Sequence, residues 1–302
     1  MTESSKARKR IAVIGSAGQL GMDIVKQFAA SGDYEVLPWA RGDVDVTRGD
    51  QVESAVTGSR PDVVVNCAAL HRVDDCEERV ADAFRINAQG AYEVARACNA
   101  VHATCVFIST DYVFAGDKGC PYTEDDHASA VNVYGVSKIS GEMLVRNVSP
   151  NHVILRVSSL FGAAGPRGKG SNFIDAILAK ARRAEPLRIV ADQWMSPTYT
   201  KDAADALFRI LLEDRRGVFH GSNAGRCSWY EFALEALQQA GIAALVEPTS
   251  AGAYPSKARR PRDSALDRSR PIAPGFTPRP WPEALSSYLA EKGHLPPAAA
   301  VP

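Results

Sequence analysis

A chain of 302 residues has room for one large core, or for one core with a smaller lobe beside it. Its hydrophobic content of 45%, charged content of 23% and formal net charge of +0 describe an ordinary globular protein. That balance offers no field to steer nucleic acid or an anionic membrane surface, and no apolar run approaches the length of a bilayer span.

The basic run at residues 6–10 leads into a strand and a glycine turn rather than a signal-peptide core, so it reads as a solvated tail. The cysteines Cys67, Cys76, Cys98, Cys105, Cys120 and Cys227 show no C-x-x-C and no metal-ligand spacing. No metal is expected, and reduced thiols in a cytoplasmic location are the default.

In chain order, Arg10 to Ile14 is a short apolar strand that runs into Gly15-Ser16-Ala17-Gly18-Gln19-Leu20-Gly21, and Met22 to Ala30 then has helical patterning. Glycines spaced G-x-x-G-x-x-G between strand and helix permit a tight turn and a close approach to a pyrophosphate. The helix start adds free N–H groups and the positive end of its dipole. Tyr34 to Leu37 reads as a second strand, followed by Arg41 and by Asp45-Val46-Thr47. An acidic residue at the end of that strand would suit the ribose hydroxyl of NADH. A guanidinium arrives first here, and it suits the 2′-phosphate of NADPH, leaving NADH as the alternative.

Residues 60–69 form a third buried strand ending in Cys67-Ala68-Ala69, small enough to let a cofactor lie against the backbone. Ala81 to Cys98 reads as one long amphipathic helix carrying Asn87. Val106 to Thr110 is a β-branched run that ends in hydroxyls, as a buried strand does on reaching a sheet edge. Tyr134-Gly135-Val136-Ser137-Lys138 follows in a helical segment from Asn132 to Val145, which puts Tyr134 and Lys138 one turn apart on one face. An ammonium beside a phenol favours the phenolate and so lowers the tyrosine pKa. The alternation of β and α predicts an α/β fold with a doubly wound parallel sheet and ligands beyond the carboxyl ends of its strands.

Past Pro150 the composition changes. Val153 to Val157 is another buried strand, Gly165 to Ser171 a Gly- and Lys/Arg-rich loop, and Lys201 to Leu212 a helix returning to the first domain. Two further helices are expected at Ser228 to Ala240 and Pro282 to Lys292, and the tail after Leu295 is Pro- and Ala-rich. These segments predict a dinucleotide domain of residues 1–156 plus about 197–221, and a smaller mixed substrate lobe of about 157–196 and 222–302.

The glycine turn, the hydroxyl-tipped strand and the Tyr-x-x-x-Lys helix together resemble the extended short-chain dehydrogenase/reductase family. The likeness narrows at Ser109-Thr110-Asp111-Tyr112-Val113-Phe114, at Asn132 through Glu142, at Val73-Asp74-Asp75-Cys76-Glu77, at Asp192-Gln193 with Pro197-Thr198, and at Arg260-Pro261 with Ser264 and Leu266. From about Ile11 to Tyr288 these are similar to the dTDP-4-dehydrorhamnose reductase group.

That resemblance implies Thr110, Tyr134 and Lys138 as the catalytic triad. It implies a cofactor site of Gly15, Gly18, Gln19, Leu20, Gly21, Arg41, Asp45, Val46, Cys67, Ala68, Ala69 and Asn87 together with Tyr134 and Lys138. Toward a nucleotide-sugar substrate it puts Val73, Thr110, Asp111, Tyr112, Ser159, Asn172 and Arg260. Related dehydratases carry Asp-Glu after the threonine, whereas this chain has Asp111-Tyr112, as suits a ketoreductase. Relatives usually have Trp at the Ser159 position and often Thr at the His71 position, which leaves the sugar open. An epimerase, a reductase of another keto-sugar, and a regulatory cofactor-binding subunit similar to methionine adenosyltransferase β all keep parts of the same pattern. A homodimer is also left open.

Overall fold

The computed structural model describes residues 8–164 and 172–296. The loop expected at Gly165 to Ser171, the start of the basic N-terminal run and the end of the C-terminal tail therefore lie outside the described residues. The β-branched runs form a six-stranded sheet from β1 (Lys9–Ile14), β2 (Tyr34–Trp39), β3 (Val63–Asn66), β4 (Thr104–Thr110), β5 (His152–Val157) and an edge strand Gly217–His220. The spatial order is Gly217–His220, β5, β4, β3, β1, β2, and every pairing is parallel. Successive strands therefore need helical crossovers, and both faces of the sheet are covered.

Alternation along each strand feeds two cores. Ile11, Val13, Val106 and Leu155 pack with Ile24, Phe28 and Leu207 from helix α1 (Gln19–Ser31) and helix Thr200–Leu212. Ala12, Ile14, Phe107 and Ile154 face the other way, onto Val52, Val94 and Val145 of helices Gly49–Ser59, Gly90–Ala100 and Val133–Val148. A third core holds the second lobe together around Phe161, Ile174, Phe232 and Tyr288. It is built from helices Phe173–Arg182, Trp229–Gln239 and Trp281–Glu291 with two-stranded ribbons. Tyr199 belongs to this core, whereas Ala203, Leu207 and Ile210 of the helix that begins at Thr200 pack in the core of the six-stranded sheet.

Three local features differ from the sequence expectation. Strand β2 continues through Pro38 to Trp39, tolerated because β2 is the sheet edge and its missing N–H breaks no ladder. The helix expected at Ala81 to Cys98 is interrupted by a π-turn, Arg85–Gln89, between Val80–Phe84 and Gly90–Ala100. The edge strand Gly217–His220 was not anticipated, since four residues beginning with glycine carry little strand signal.

The register positions the site. Asn66, the last residue of β3, stands opposite Phe107, so Ile108, Ser109 and Thr110 of β4 run on beyond the β3 end. The helix Val133–Val148 reaches this exposed stretch because Gly141 has no side chain. A Cβ there would lie 2.4 Å from the Asn87 carbonyl oxygen and 2.8 Å from the Phe107 ring. Gly141→Ala should therefore lower stability by about 1–3 kcal/mol in a urea or thermal melt. Gly42→Ala, where nothing lies within 4 Å, should be close to neutral, and equal effects of the two would contradict this packing.

Candidate active site

A cleft of about 590 Å³ opens along the carboxyl ends of β1, β3, β4 and β5. One end is walled by the glycine turn. Gly15 is left-handed at φ 78°, and a Cβ on Gly21 would fall 2.3 Å from the Gly15 carbonyl, so the first turn of α1 sits directly on the loop. Gly18, Gln19 and Leu20 line this end with Arg41, Asp45, Val46, Cys67, Ala68 and Ala69. The Gln19 side-chain oxygen is buried there without a hydrogen-bond partner, and small residues face the space. A glycine cradle, a helix N-terminus and an unpartnered amide oxygen fit a dinucleotide.

Arg41 is mostly exposed and its guanidinium lies 3.9 Å from the Asp45 carboxylate. The N–H of Thr47 donates to Asp45 and, against the opposing effect of burial, this bond and the Thr47 hydroxyl keep the carboxyl below its usual range. Burial pushes the Cys67 thiol up to about 12, so it stays a neutral wall at physiological pH.

The middle of the cleft holds Thr110, Tyr134 and Lys138 together. Thr110 ends β4 and caps the short 3₁₀ turn Asp111–Val113, its Oγ1 accepting from the Tyr112 N–H at 3.2 Å. The Tyr134 phenol lies close enough to the Thr110 hydroxyl for that neighbour to pull its pKa down. The helix carrying Tyr134 and Lys138 starts where it does because two side chains satisfy its first amides. Asn132 Oδ1 accepts from Gly135 N–H at 2.8 Å, and Glu77 Oε1 accepts from Val133 N–H at 2.9 Å. Glu77 thus explains the V-D-x-C-E pattern, whose job the sequence did not disclose.

The electrostatics differ from the expectation in one respect. Burial pushes the Tyr134 phenol up, Thr110 pulls it down, and the charge on Asp111 pushes it up again. Lys138 is only 2% exposed and its Nζ donates to the Ile108 carbonyl at 2.6 Å with the Phe107 ring beneath. Burial lowers its pKa from 10.5 to about 7, against a raising effect of Glu142. The amine is thus itself poised near neutrality, and it faces a carbonyl and a ring rather than the phenol.

Asp111, Tyr112, Val73, Ser159 and Asn172 line the far half of the cleft. Asp111 is 2% exposed and its carboxylate accepts from Thr110 Oγ1 at 3.0 Å, Ser158 Oγ at 2.8 Å and Ser264 Oγ at 2.6 Å. Burial raises its pKa to about 6 in spite of these bonds. Where a large apolar wall was expected to be missing at Ser159, Phe173, Trp229 and Phe232 supply aromatic surface, with Phe173 and Trp229 ring centroids 4.7 Å apart. These positions come from two helices far apart in the chain, so only the tertiary fold could assemble them.

Two expected contacts fall outside the cleft wall. Asn87 is fully buried in the π-turn, where its amide accepts from Leu70 N–H at 2.9 Å and donates to Ser137 Oγ at 2.9 Å. It secures the helix beside Lys138 instead of reaching the cleft. Arg260 pairs with Asp74 at 2.8 Å, is hydrogen-bonded to the Tyr112 phenol, and lines a second, arginine-rich pocket with Arg226, Arg259 and Arg262. Against the raising effect of burial, the Ala258 N–H and the Arg260 guanidinium hold the Asp74 carboxyl at about 2. Among the described residues all the cysteines are unpaired, no group of His, Cys, Asp and Glu has metal-binding geometry, and no helix is long and apolar enough to cross a membrane.

Comparison with known proteins matches this architecture. A family model described as RmlD substrate binding domain matches residues 9–293. The spore coat polysaccharide biosynthesis protein SpsK of Bacillus subtilis is 38% identical, covering 94% of this chain and 98% of its own length. A dTDP-4-dehydrorhamnose reductase of Aggregatibacter actinomycetemcomitans is 35% identical over 93% of this chain and 98% of its own. The crystal structure of dTDP-4-dehydrorhamnose reductase from Bacillus anthracis in complex with NADP superposes with a TM-score of 0.88 at 34% identity, covering 94% of this chain and 100% of that one. With the family model matching residues 9–293 and the relatives covering more than nine-tenths of the chain, the chain belongs to the RmlD substrate-binding domain family, the dTDP-4-dehydrorhamnose reductase group of extended short-chain dehydrogenases/reductases.

Proposed function

We propose that this chain reduces the 4-keto group of a dTDP-linked deoxysugar with NADPH, most simply dTDP-4-dehydro-L-rhamnose to dTDP-L-rhamnose. The observation that carries this reading is the meeting of Thr110, Tyr134 and Lys138 in the same cleft as the glycine turn. The names of the relatives, and the NADP held by the Bacillus anthracis structure, support the choice of substrate and cofactor.

Bound NADPH supplies the hydride. The rest is the work of this chain's side chains. The glycine turn and the α1 N-terminus bind the pyrophosphate, and Arg41, exposed at the adenine end, meets the 2′-phosphate. Thr110 Oγ1 holds the substrate carbonyl oxygen. Tyr134 Oη gives that oxygen its proton as the alkoxide develops, which a phenol pushed upward does as an acid rather than as a phenolate base. Lys138 presents its ammonium to the nicotinamide ribose. Phe173, Trp229 and Phe232 exclude water from the far wall.

Tyr134→Phe should lower NADPH oxidation in the presence of the keto-sugar by about 10²–10⁴-fold while leaving NADPH affinity within a few-fold. An unchanged rate in Tyr134→Phe, or a flat absorbance trace from wild-type protein that binds NADPH tightly, would overturn the proposal. The latter result is the one a regulatory subunit would give.

Lys138 also predicts a pH dependence of stability in the cofactor-free protein. Its folded pKa of about 7 lies below the usual 10.5, so between those values the unfolded chain binds more protons than the folded one. The lysine's contribution to stability is therefore present above 10.5 and lost as pH falls through about 7. The melting-temperature advantage of Lys138→Met over wild type should be widest at neutral pH and close as pH rises toward 10.5. A constant difference across that range would refute the assigned shift.

A further inference from the structure

We propose that Glu142 is a positioning residue for this reaction: held by Arg156 and Ser109, its carboxylate is the counter-charge that keeps the Lys138 ammonium charged on the cleft wall. The inference rests on the reading of Lys138 as the group that meets the cofactor ribose. Lys138 and Glu142 lie one turn apart on the helix Val133–Val148, and both are 2% exposed.

The carboxylate is fixed on every side. Its Oε1 accepts from Ser109 Oγ at 2.6 Å and from Arg156 Nε at 2.9 Å, and its Oε2 accepts from Arg156 Nη2 at 2.7 Å. Ser109 itself lines the cleft, and Arg156 belongs to β5, so the helix, β4 and β5 meet at this one group.

The other groups facing Lys138 cannot do the same work. From β4 come the Ile108 carbonyl and the Phe107 ring, both uncharged. From the end of β3 comes the Cys67 thiol, neutral at physiological pH because burial has pushed it up to about 12. On the same helix Tyr134 is pushed up as well and stays a neutral phenol. Asp111 lies on the Thr110 side with its oxygens taken by hydroxyls. An ammonium this deeply buried with no anion nearby gives up its proton below neutral pH. Burial lowers Lys138 only to about 7, and the negative charge of the Glu142 carboxylate is the main effect opposing that fall.

A purely structural role for the Glu142–Arg156 pair would hold the helix to the sheet and leave the lysine's titration unmoved. The two roles are separated by an NMR titration of lysine-labelled, cofactor-free protein, with the Lys138 resonance assigned by its loss in Lys138→Met. Glu142→Gln should move the Lys138 midpoint down by at least about one pH unit, the size expected of a buried charge one helical turn away at intermediate dielectric. NADPH affinity near neutral pH should fall by about tenfold in step, and recover as the pH is lowered.

Glu142→Gln leaves the Arg156 guanidinium buried without its partner and can fail to fold. The double variant Glu142→Gln with Arg156→Met removes both charges and should keep the lowered midpoint in a folded protein. Glu142→Asp, which keeps the charge on a shorter arm, should restore most of the shift. An unchanged midpoint in folded Glu142→Gln, or a wild-type midpoint in the double variant, would overturn the proposal. A lowered midpoint with NADPH affinity untouched at every pH would keep the pairing and overturn the assignment of Lys138 to the cofactor.

Discussion

The structure turns on one buried ammonium. Placing Lys138 at the edge of a parallel sheet removes it from water, a loss a cation tolerates only with compensating contacts. The contacts here are a carbonyl of β4 beyond the end of its neighbour, an aromatic face, and a carboxylate one helical turn away that is tied to β5. The first two come from β4 and the third ties the helix to β5, so the amine is in place only when β4, β5 and the helix Val133–Val148 are all in register. The same convergence that makes the lysine tolerable also brings Tyr134 to the Thr110 hydroxyl.

Around that point the helix is held from several directions by polar side chains and by one missing side chain. Glu77 and Asn132 cap its start, and Asn132 also donates to the Arg259 carbonyl of the C-terminal segment at 2.8 Å. Asn87 reaches it from a π-turn, a one-residue bulge that turns the amide toward Ser137 and Leu70. Gly141 lets the helix close onto Phe107. Asp111 joins the lobes, taking hydroxyl bonds from Ser158 after β5 and Ser264 from the far end of the chain. Apolar packing joins the same parts: Leu266 packs with Val113 and Phe114 just beyond Thr110, and Ile272 and Ala273 belong to the core of the sheet domain.

Much of this was legible in the linear chain. Parallel strands buried on both faces leave continuous β-branched runs, so the doubly wound sheet could be read directly. The fingerprint glycines and the Tyr-x-x-x-Lys spacing are local and easily located, but the roles given to Thr110, Tyr134 and Lys138 came from the family resemblance. The helices at Val133–Val148, Thr200–Leu212 and Trp229–Gln239 fall near their expected bounds because amphipathic period and capping residues are also local signals. Asn87 turns its amide to Leu70 and Ser137, which its place in the sequence did not disclose, because a motif fixes a residue's place along the chain and not the direction of its side chain.

The sequence by itself determined which groups could carry hydride-transfer chemistry and the order of the elements that present them. Only the tertiary structure decided their charges and their neighbours. The expectation that an ammonium would acidify the phenol rested on proximity along a helix, whereas the folded environment lowers the lysine and raises the tyrosine. Desolvation depends on what the rest of the chain packs around a group, and the aromatic wall of Phe173, Trp229 and Phe232 depends on helices far apart in sequence meeting in one lobe. Those are sums over long-range contacts, and no local pattern of residues encodes them.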